Sequence, residues 1–205
     1  MNYQVIIYSL LIFFLLLTCA KVSYILNLVD LPNKRKIHSI PTAYTGGIAI
    51  SISLLFALLV LNIFDKNLAS ILSISFLVSI IGLVDDKYHL NTGGKLSLQI
   101  IPIFYLIVFE NLTLIHIGEY NYFKLDLGSF KMPFTLLSVL LLINSFNYFD
   151  GVDGSLSFTT ISVLAILYFL IPDEVFRLFL IILLIPIVIF LFFNFSFLKL
   201  PKLFL

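Results

Sequence analysis

The sequence predicts an all-α fold: a polytopic membrane bundle of about seven transmembrane helices, with the N-terminus outside and the C-terminus cytoplasmic. Two observations carry the class. Of the 205 residues, 61% are hydrophobic and only 11% charged, and mean hydropathy is +1.14. A soluble domain is about half apolar and about a quarter charged. The apolar residues also gather into seven runs, 4–26, 44–64, 68–84, 96–112, 134–149, 155–172 and 177–195, close to the ~20 residues that cross a bilayer as a helix. Rich in Leu, Ile, Phe and Val and lacking two-residue alternation, these runs read as helices rather than barrel strands.

Charge supplies the orientation. With the N-terminus outside, one side receives 21–43, 85–95, 150–154 and the tail after 195, holding Lys21, Lys34, Arg35, Lys36, Lys87, Lys95, Lys199 and Lys202. The opposite side holds only Lys66, Lys124, Lys131 and Arg177. The positive-inside rule makes the first side cytoplasmic. A net charge of +1 offers no basic field for nucleic acid, and the lone Cys19 excludes an intramolecular disulfide framework. No repeat or linker divides the chain, so 1–205 is read as a single transmembrane domain.

Taken in order, the first run (4–26) lacks a positive segment ahead of "LLTCA", so it reads as an uncleaved span rather than a lipoprotein signal. The loop "DLPNKRKIHSIPTAYTGG" (30–47) follows, with Pro32 and Pro41 breaking helix on either side of a basic cluster. Lys34, Arg35 and Lys36 alone suit an anchor on anionic lipid as well as they suit a ligand. His38 adds a group that an anchor does not need, and Gly46-Gly47 admits close backbone approach as the second span opens.

The third span runs into "GLVDDKYHLNTGGKLSLQ" (82–99). Asp85 and Asp86 end it against the negative pole of the helix dipole, which is unfavourable. The bland reading is a solvated loop that begins early. The functional one is a carboxylate pair at the membrane surface that takes a cation, a proton or a phosphate, one member serving as a base. Lys95 and Gln99 stand at i and i+4 where the fourth span begins and share a face; a lysine there meets phosphate as a point charge. Beyond that span, "ENLTLIHIGEYNYFKLDLGSFKMP" alternates enough to predict a short surface hairpin.

The fifth span ends in "NSFNYFDGVDGS" (144–155), where Asn144, Asn147, Asp150 and Asp153 recur at every third position. On a helix that spacing makes a slanting polar stripe, and the two Asp-Gly steps turn the chain into the sixth span. One Asn and one Asp would suit a simple cap. Four such residues suit a hard cation such as Mg2+, which also takes substrate phosphates as ligands. The ligand implied by the three loops together is a phosphate or pyrophosphate reacting at the membrane surface.

These three motifs, in this order and spacing, resemble those of the polyprenyl-phosphate N-acetylhexosamine-1-phosphate transferases of glycosyltransferase family 4, and the Arg-Lys-x-His form of the first is similar to their GlcNAc-type branch. The resemblance implies a bacterial inner-membrane enzyme working at its cytoplasmic face. Undecaprenyl phosphate would attack the β-phosphorus of a UDP-N-acetylhexosamine, UMP would leave, and the product would start an envelope glycan such as lipopolysaccharide or a cell-wall polymer. It implies Asp85 and Asp86 as catalytic carboxylates, Lys95 on the pyrophosphate, Asn147 with Asp150 on Mg2+ (Mn2+ as substitute), and Asp153 on the uracil. The expected substrate-binding set is Arg35, Lys36, His38, Lys95, Asn144 and Asp153. Membrane lipid is the surrounding partner, nucleic acid is not one, and the reading is compatible with a homodimer.

Family members continue into a Gly-Asp-x-Gly motif where this sequence stops at Leu205, so a C-terminally incomplete and, as 1–205, inactive member is expected. Two alternatives stand beside the enzyme. A non-catalytic membrane fragment is one. A transporter or lipid carrier is the other, although its ionisable residues should line a path through the spans, whereas here they gather at one face.

Overall fold

A computed structural model of the chain describes residues 2–31, 41–60, 65–120, 123–149 and 152–205. Among these the chain is mainly helical, and seven α-helices stand where the seven apolar runs lie: α1 Asn2–Ile25, α2 Gly46–Val60, α3 Lys66–Tyr88, α4 Thr92–Val108, α5 Lys131–Phe149, α6 Ser155–Leu170 and α7 Glu174–Asn194. Four of the helical segments, Tyr3–Ile25, Lys66–Tyr88, Gly128–Phe149 and Glu174–Asn194, are long and apolar enough to cross a membrane; α2, α4 and α6 are shorter apolar helices.

The all-α expectation needs one amendment. Two small antiparallel pairs join the helices: β1 (Val29–Asp30) with β2 (Thr42–Ala43), and β3 (His116–Tyr120) with β4 (Phe123–Asp126). The second is the hairpin that the alternation around Tyr120 predicts. Strands two residues long carry no period, which is why the first pair escapes a reading of the sequence.

Helix starts follow capping side chains rather than the onset of apolar sequence. Asp65 accepts the Leu68 N–H at 2.8 Å, Asn91 the Gly94 N–H at 2.7 Å and Asp173 the Phe176 N–H at 2.7 Å. Each satisfies one of the donors left open in a first helical turn. Replacing Asp173 by alanine is expected to cost about 1 kcal/mol, read as a lower melting temperature in detergent with the helix content of the folded protein unchanged.

The helices form two compact units, one from residues 1–64 with 149–205 and the other from 65–148. In the first, α1 packs on α2 and α7, α2 on α7, and α6 on α7. The inner face of α1 repeats every fourth residue: Tyr8, Ile12, Leu16 and Ala20 are buried, while Ile6, Leu10 and Phe14 are exposed. Of the six buried positions on α2, five are small (Gly46, Ala49, Ser51, Ser53 and Ala57), and the sixth is Leu54. Lipid tails are as apolar as leucine, so helices in a bilayer gain from close approach, and small side chains permit it. Phe190 and Phe193 of α7 fill the same core.

The tail is tied into this unit. Phe204 N–H donates to the Ala43 carbonyl at 2.8 Å, Gly46 N–H donates to the Phe204 carbonyl at 2.9 Å, and Leu203 is fully buried beside β2. The Asn194 side-chain amide donates to the Leu203 carbonyl at 2.9 Å. Residues 203–204 thus pair with β2, and the Phe204 carbonyl satisfies an open N–H at the start of α2.

In the second unit α3 packs on α4, and α4 and α5 share a small core of Ile103, Ile107 and Leu140. Thr135 closes the end near the hairpin, accepting the Leu114 N–H at 2.9 Å and donating to the Lys131 carbonyl at 2.6 Å.

Candidate active site

The C-terminal end of α3 supplies the first carboxylates. Asp85 is largely covered and Asp86, one step round the helix, is exposed. The helix stops at His89, whose backbone turns left-handed (φ 50°) while its N–H returns to the Asp85 carbonyl at 2.7 Å. Two residues later Asn91 caps α4, so only 89–91 separate the helices. The reversal is tight enough for Lys95, in the first turn of α4, to reach back to the carboxylates that end α3.

That reach is realised. Lys95 Nζ lies 2.7 Å from Asp85 Oδ2 and donates to Asn147 Oδ1 at 3.1 Å. One ammonium therefore joins three helices, with the Lys95 and Asp85 side chains only 14% and 19% exposed. A pair this sheltered is screened far less than a surface pair. One turn along α4, buried Gln99 accepts an amide proton of Asn144 at 3.0 Å, and Asn144 also donates to the Leu140 carbonyl at 2.8 Å. Lys95–Asn147 and Gln99–Asn144 are successive polar rungs between antiparallel helices, each built from the expected shared faces (i, i+4 on α4; i, i+3 on α5). The Asn144 amide protons are both engaged inside the protein, which makes it a strut under Asn147.

Asp153 belongs to the other unit. Its carboxylate Oδ2 is 2.5 Å from Lys202 Nζ, and the Lys202 ammonium also lies over the Phe204 ring, 5.2 Å from its centroid. Gly154, which follows, has φ 75°, and a Cβ there would come within 2.5 Å of the Phe195 ring. The second Asp-Gly step therefore requires its glycine twice over, for backbone sign and for space. Lys202 appears in the sequence only as one more charge in the tail; 49 residues separate it from Asp153, and no local pattern points to it.

Arg35, Lys36, His38 and Asp150 lie outside the described residues. Among the described residues no group of three or more His, Cys, Asp or Glu side chains assembles into a metal cluster. Of the pair expected to hold a cation, Asn147 is described, and its Oδ1 is an amide oxygen of the kind a hard cation takes, engaged here by the Lys95 ammonium at 3.1 Å. Mg2+ is commonly held by one or two such protein oxygens, with water and substrate phosphate completing its shell.

The ordered motifs at 82–99 and 144–155 thus meet, in part, as a lysine bridging a carboxylate and an amide at the helix ends. A model of glycosyl transferase family 4 matches residues 68–205, more than half of the chain and all of this arrangement. The chain belongs to that family. Among its relatives, the undecaprenyl-phosphate alpha-N-acetylglucosaminyl 1-phosphate transferase of Escherichia coli O157:H7 is 30% identical over 137 residues, covering 66% of this chain and 37% of the relative. The Yersinia pestis protein of the same name is 30% identical over 142 residues, covering 69% and 39%. A probable undecaprenyl-phosphate N-acetylglucosaminyl 1-phosphate transferase of Bacillus subtilis (strain 168) is 28% identical over 144 residues, covering 68% and 40%. The chain thus spans about two fifths of the length of these curated relatives.

Proposed function

We propose that this family 4 protein transfers N-acetylglucosamine-1-phosphate from UDP-GlcNAc to undecaprenyl phosphate at the cytoplasmic face of a bacterial inner membrane. UMP is the leaving product, and the lipid-linked sugar begins an envelope glycan. All seven helices cross the bilayer in this reading, the N-terminus outside. The observation that carries it is the Lys95 ammonium held between Asp85 and Asn147, a charged cluster at helix ends where a membrane-bound phosphate can meet a water-soluble one. The names of the relatives supply the sugar and the lipid.

In the reaction an oxygen of the lipid phosphate forms a bond to the β-phosphorus of the donor. The bond from that phosphorus to the oxygen bridging the α-phosphate breaks, and the electron pair leaves with UMP. Asp85 and Asp86 orient the lipid phosphate and accept any proton it carries. Lys95, already poised as a cation, offsets negative charge on the pyrophosphate. Asn147, with Asp150, would hold Mg2+, which when bound neutralises charge on the transferring group. Gln99 and Asn144 keep α4 and α5 in register so that Lys95 and Asn147 stay together.

The test uses membranes from cells expressing the protein from its own gene. UMP release from UDP-GlcNAc should require added undecaprenyl phosphate and a divalent cation, and should stop on chelation with EDTA. UMP release that ignores the lipid phosphate would sink the assignment.

A further inference from the structure

Lys202 lies outside the three motifs, yet it carries a close ion pair, 2.5 Å from Nζ to Asp153 Oδ2. Both ends of the pair are built in advance. On the lysine side, residues 203 and 204 are fixed by Asn194, Ala43 and Gly46 through hydrogen bonds of 2.9, 2.8 and 2.9 Å. Its ammonium also rests against the Phe204 ring, 5.2 Å from the centroid. On the aspartate side, Gly154 is wedged by Phe195 and its carbonyl accepts the Phe158 N–H at 2.8 Å as α6 begins. An exposed ion pair gains little because two long side chains must be ordered to make it. Here the Lys202 side chain also rests against the Phe204 ring, so less side-chain freedom is left to lose when the pair forms.

We infer that Lys202 is a positioning residue for Asp153: it holds the carboxylate so that it can accept an N–H of the donor's nucleobase. The inference rests on the proposed UDP-sugar reading. A carboxylate has two oxygens with about four acceptor positions between them, and the lysine is bound through Oδ2. The Asp153 side chain stays 37% exposed, so a ligand can reach it. Uracil presents an imide N–H to such an acceptor; cytosine presents an unprotonated ring nitrogen at the same place and is refused. A lysine that turns this carboxylate therefore acts on the choice of base rather than on binding in general.

The experiment measures UMP and CMP affinities by titration calorimetry on the purified protein in detergent, for the wild type, Lys202→Met, Lys202→Arg, Asp153→Asn and the Lys202→Met/Asp153→Asn double variant. The wild type should prefer UMP. Lys202→Met should reduce that preference by about tenfold, the scale of a hydrogen bond to a charged group, chiefly by weakening UMP. Lys202→Arg should restore most of it, and Lys202→Met should add little in the Asp153→Asn background. Lys202→Gln replaces the methionine variant should that one fail to fold. A lysine that contacts the nucleotide phosphate, or only stabilises the fold, would weaken UMP and CMP alike; an unchanged preference would overturn the inference while leaving the donor reading standing. A wild type that binds no uridine nucleotide would overturn the donor reading, and the inference with it.

Discussion

Asp85→Asn is expected to lower lipid-dependent UMP release by about a thousandfold, within the range for a positioned acid–base group, with little change in melting temperature. The substitution keeps the side chain's shape and removes its charge. Lys95 then loses the anion 2.7 Å away and keeps only the neutral Asn147 oxygen at 3.1 Å. The amide cannot take a proton from the lipid phosphate, and it meets the ammonium less strongly than a carboxylate does. Fold and function separate because the pair lies at the ends of α3 and α4, away from the Ile103–Ile107–Leu140 core of this unit. Lys95→Met should also abolish most activity, through loss of the charge that the proposed function sets against the pyrophosphate. A rate for Asp85→Asn within tenfold of the wild type, measured in the same membranes, would remove Asp85 from the chemistry and leave it a structural partner of Lys95.

The parts of this molecule that were legible in the sequence are those fixed by local pattern. Seven apolar runs became seven helices because a buried or lipid-facing helix must be apolar over its length. The starts shifted where a cap decided them: α3 begins at Lys66 and α4 at Thr92, behind Asp65 and Asn91, rather than at the apolar onsets near 68 and 96. The capping rule applied to the same letters would have placed both. At the site, the shared face of Lys95 and Gln99 could be read from their spacing, and so could the stripe from Asn144 to Asn147. That the two faces meet, rung on rung, is a tertiary fact with no local trace. The same holds more strongly for Lys202 and for the pairing of the tail with β2. Those contacts join residues 49 or more positions apart, and a strand of two residues has too few positions to show a period.

Gly46→Ala should destabilise the first unit by about 3 kcal/mol, at the upper part of the range for overpacking. A Cβ built on Gly46 would stand 2.5 Å from Phe190 Cε2 and 2.5 Å from the Phe204 carbonyl oxygen. Neither neighbour can yield easily. The Phe190 ring is 1% exposed and packed in the core, and the Phe204 carbonyl is held where it is because it accepts the Gly46 N–H at 2.9 Å. To make room, the tail must move away from β2, releasing the bond from Phe204 N–H to the Ala43 carbonyl and uncovering Leu203. The adjacent Gly47 is an internal control of the same chemistry. Its Cβ would find Leu205 at 3.6 Å, an ordinary van der Waals contact, so Gly47→Ala should be close to neutral. Melting curves of the two variants in one detergent therefore isolate the steric effect from the helix propensity that alanine adds equally at both positions. Equal melting temperatures would show that the tail does not press on α2 as described. A large gap that narrows when Phe190→Leu is added to Gly46→Ala would trace the strain to the ring, and any remainder to the Phe204 carbonyl. Because the same two tail residues carry Lys202 to Asp153, a Gly46→Ala protein that still folds should also discriminate less between UMP and CMP.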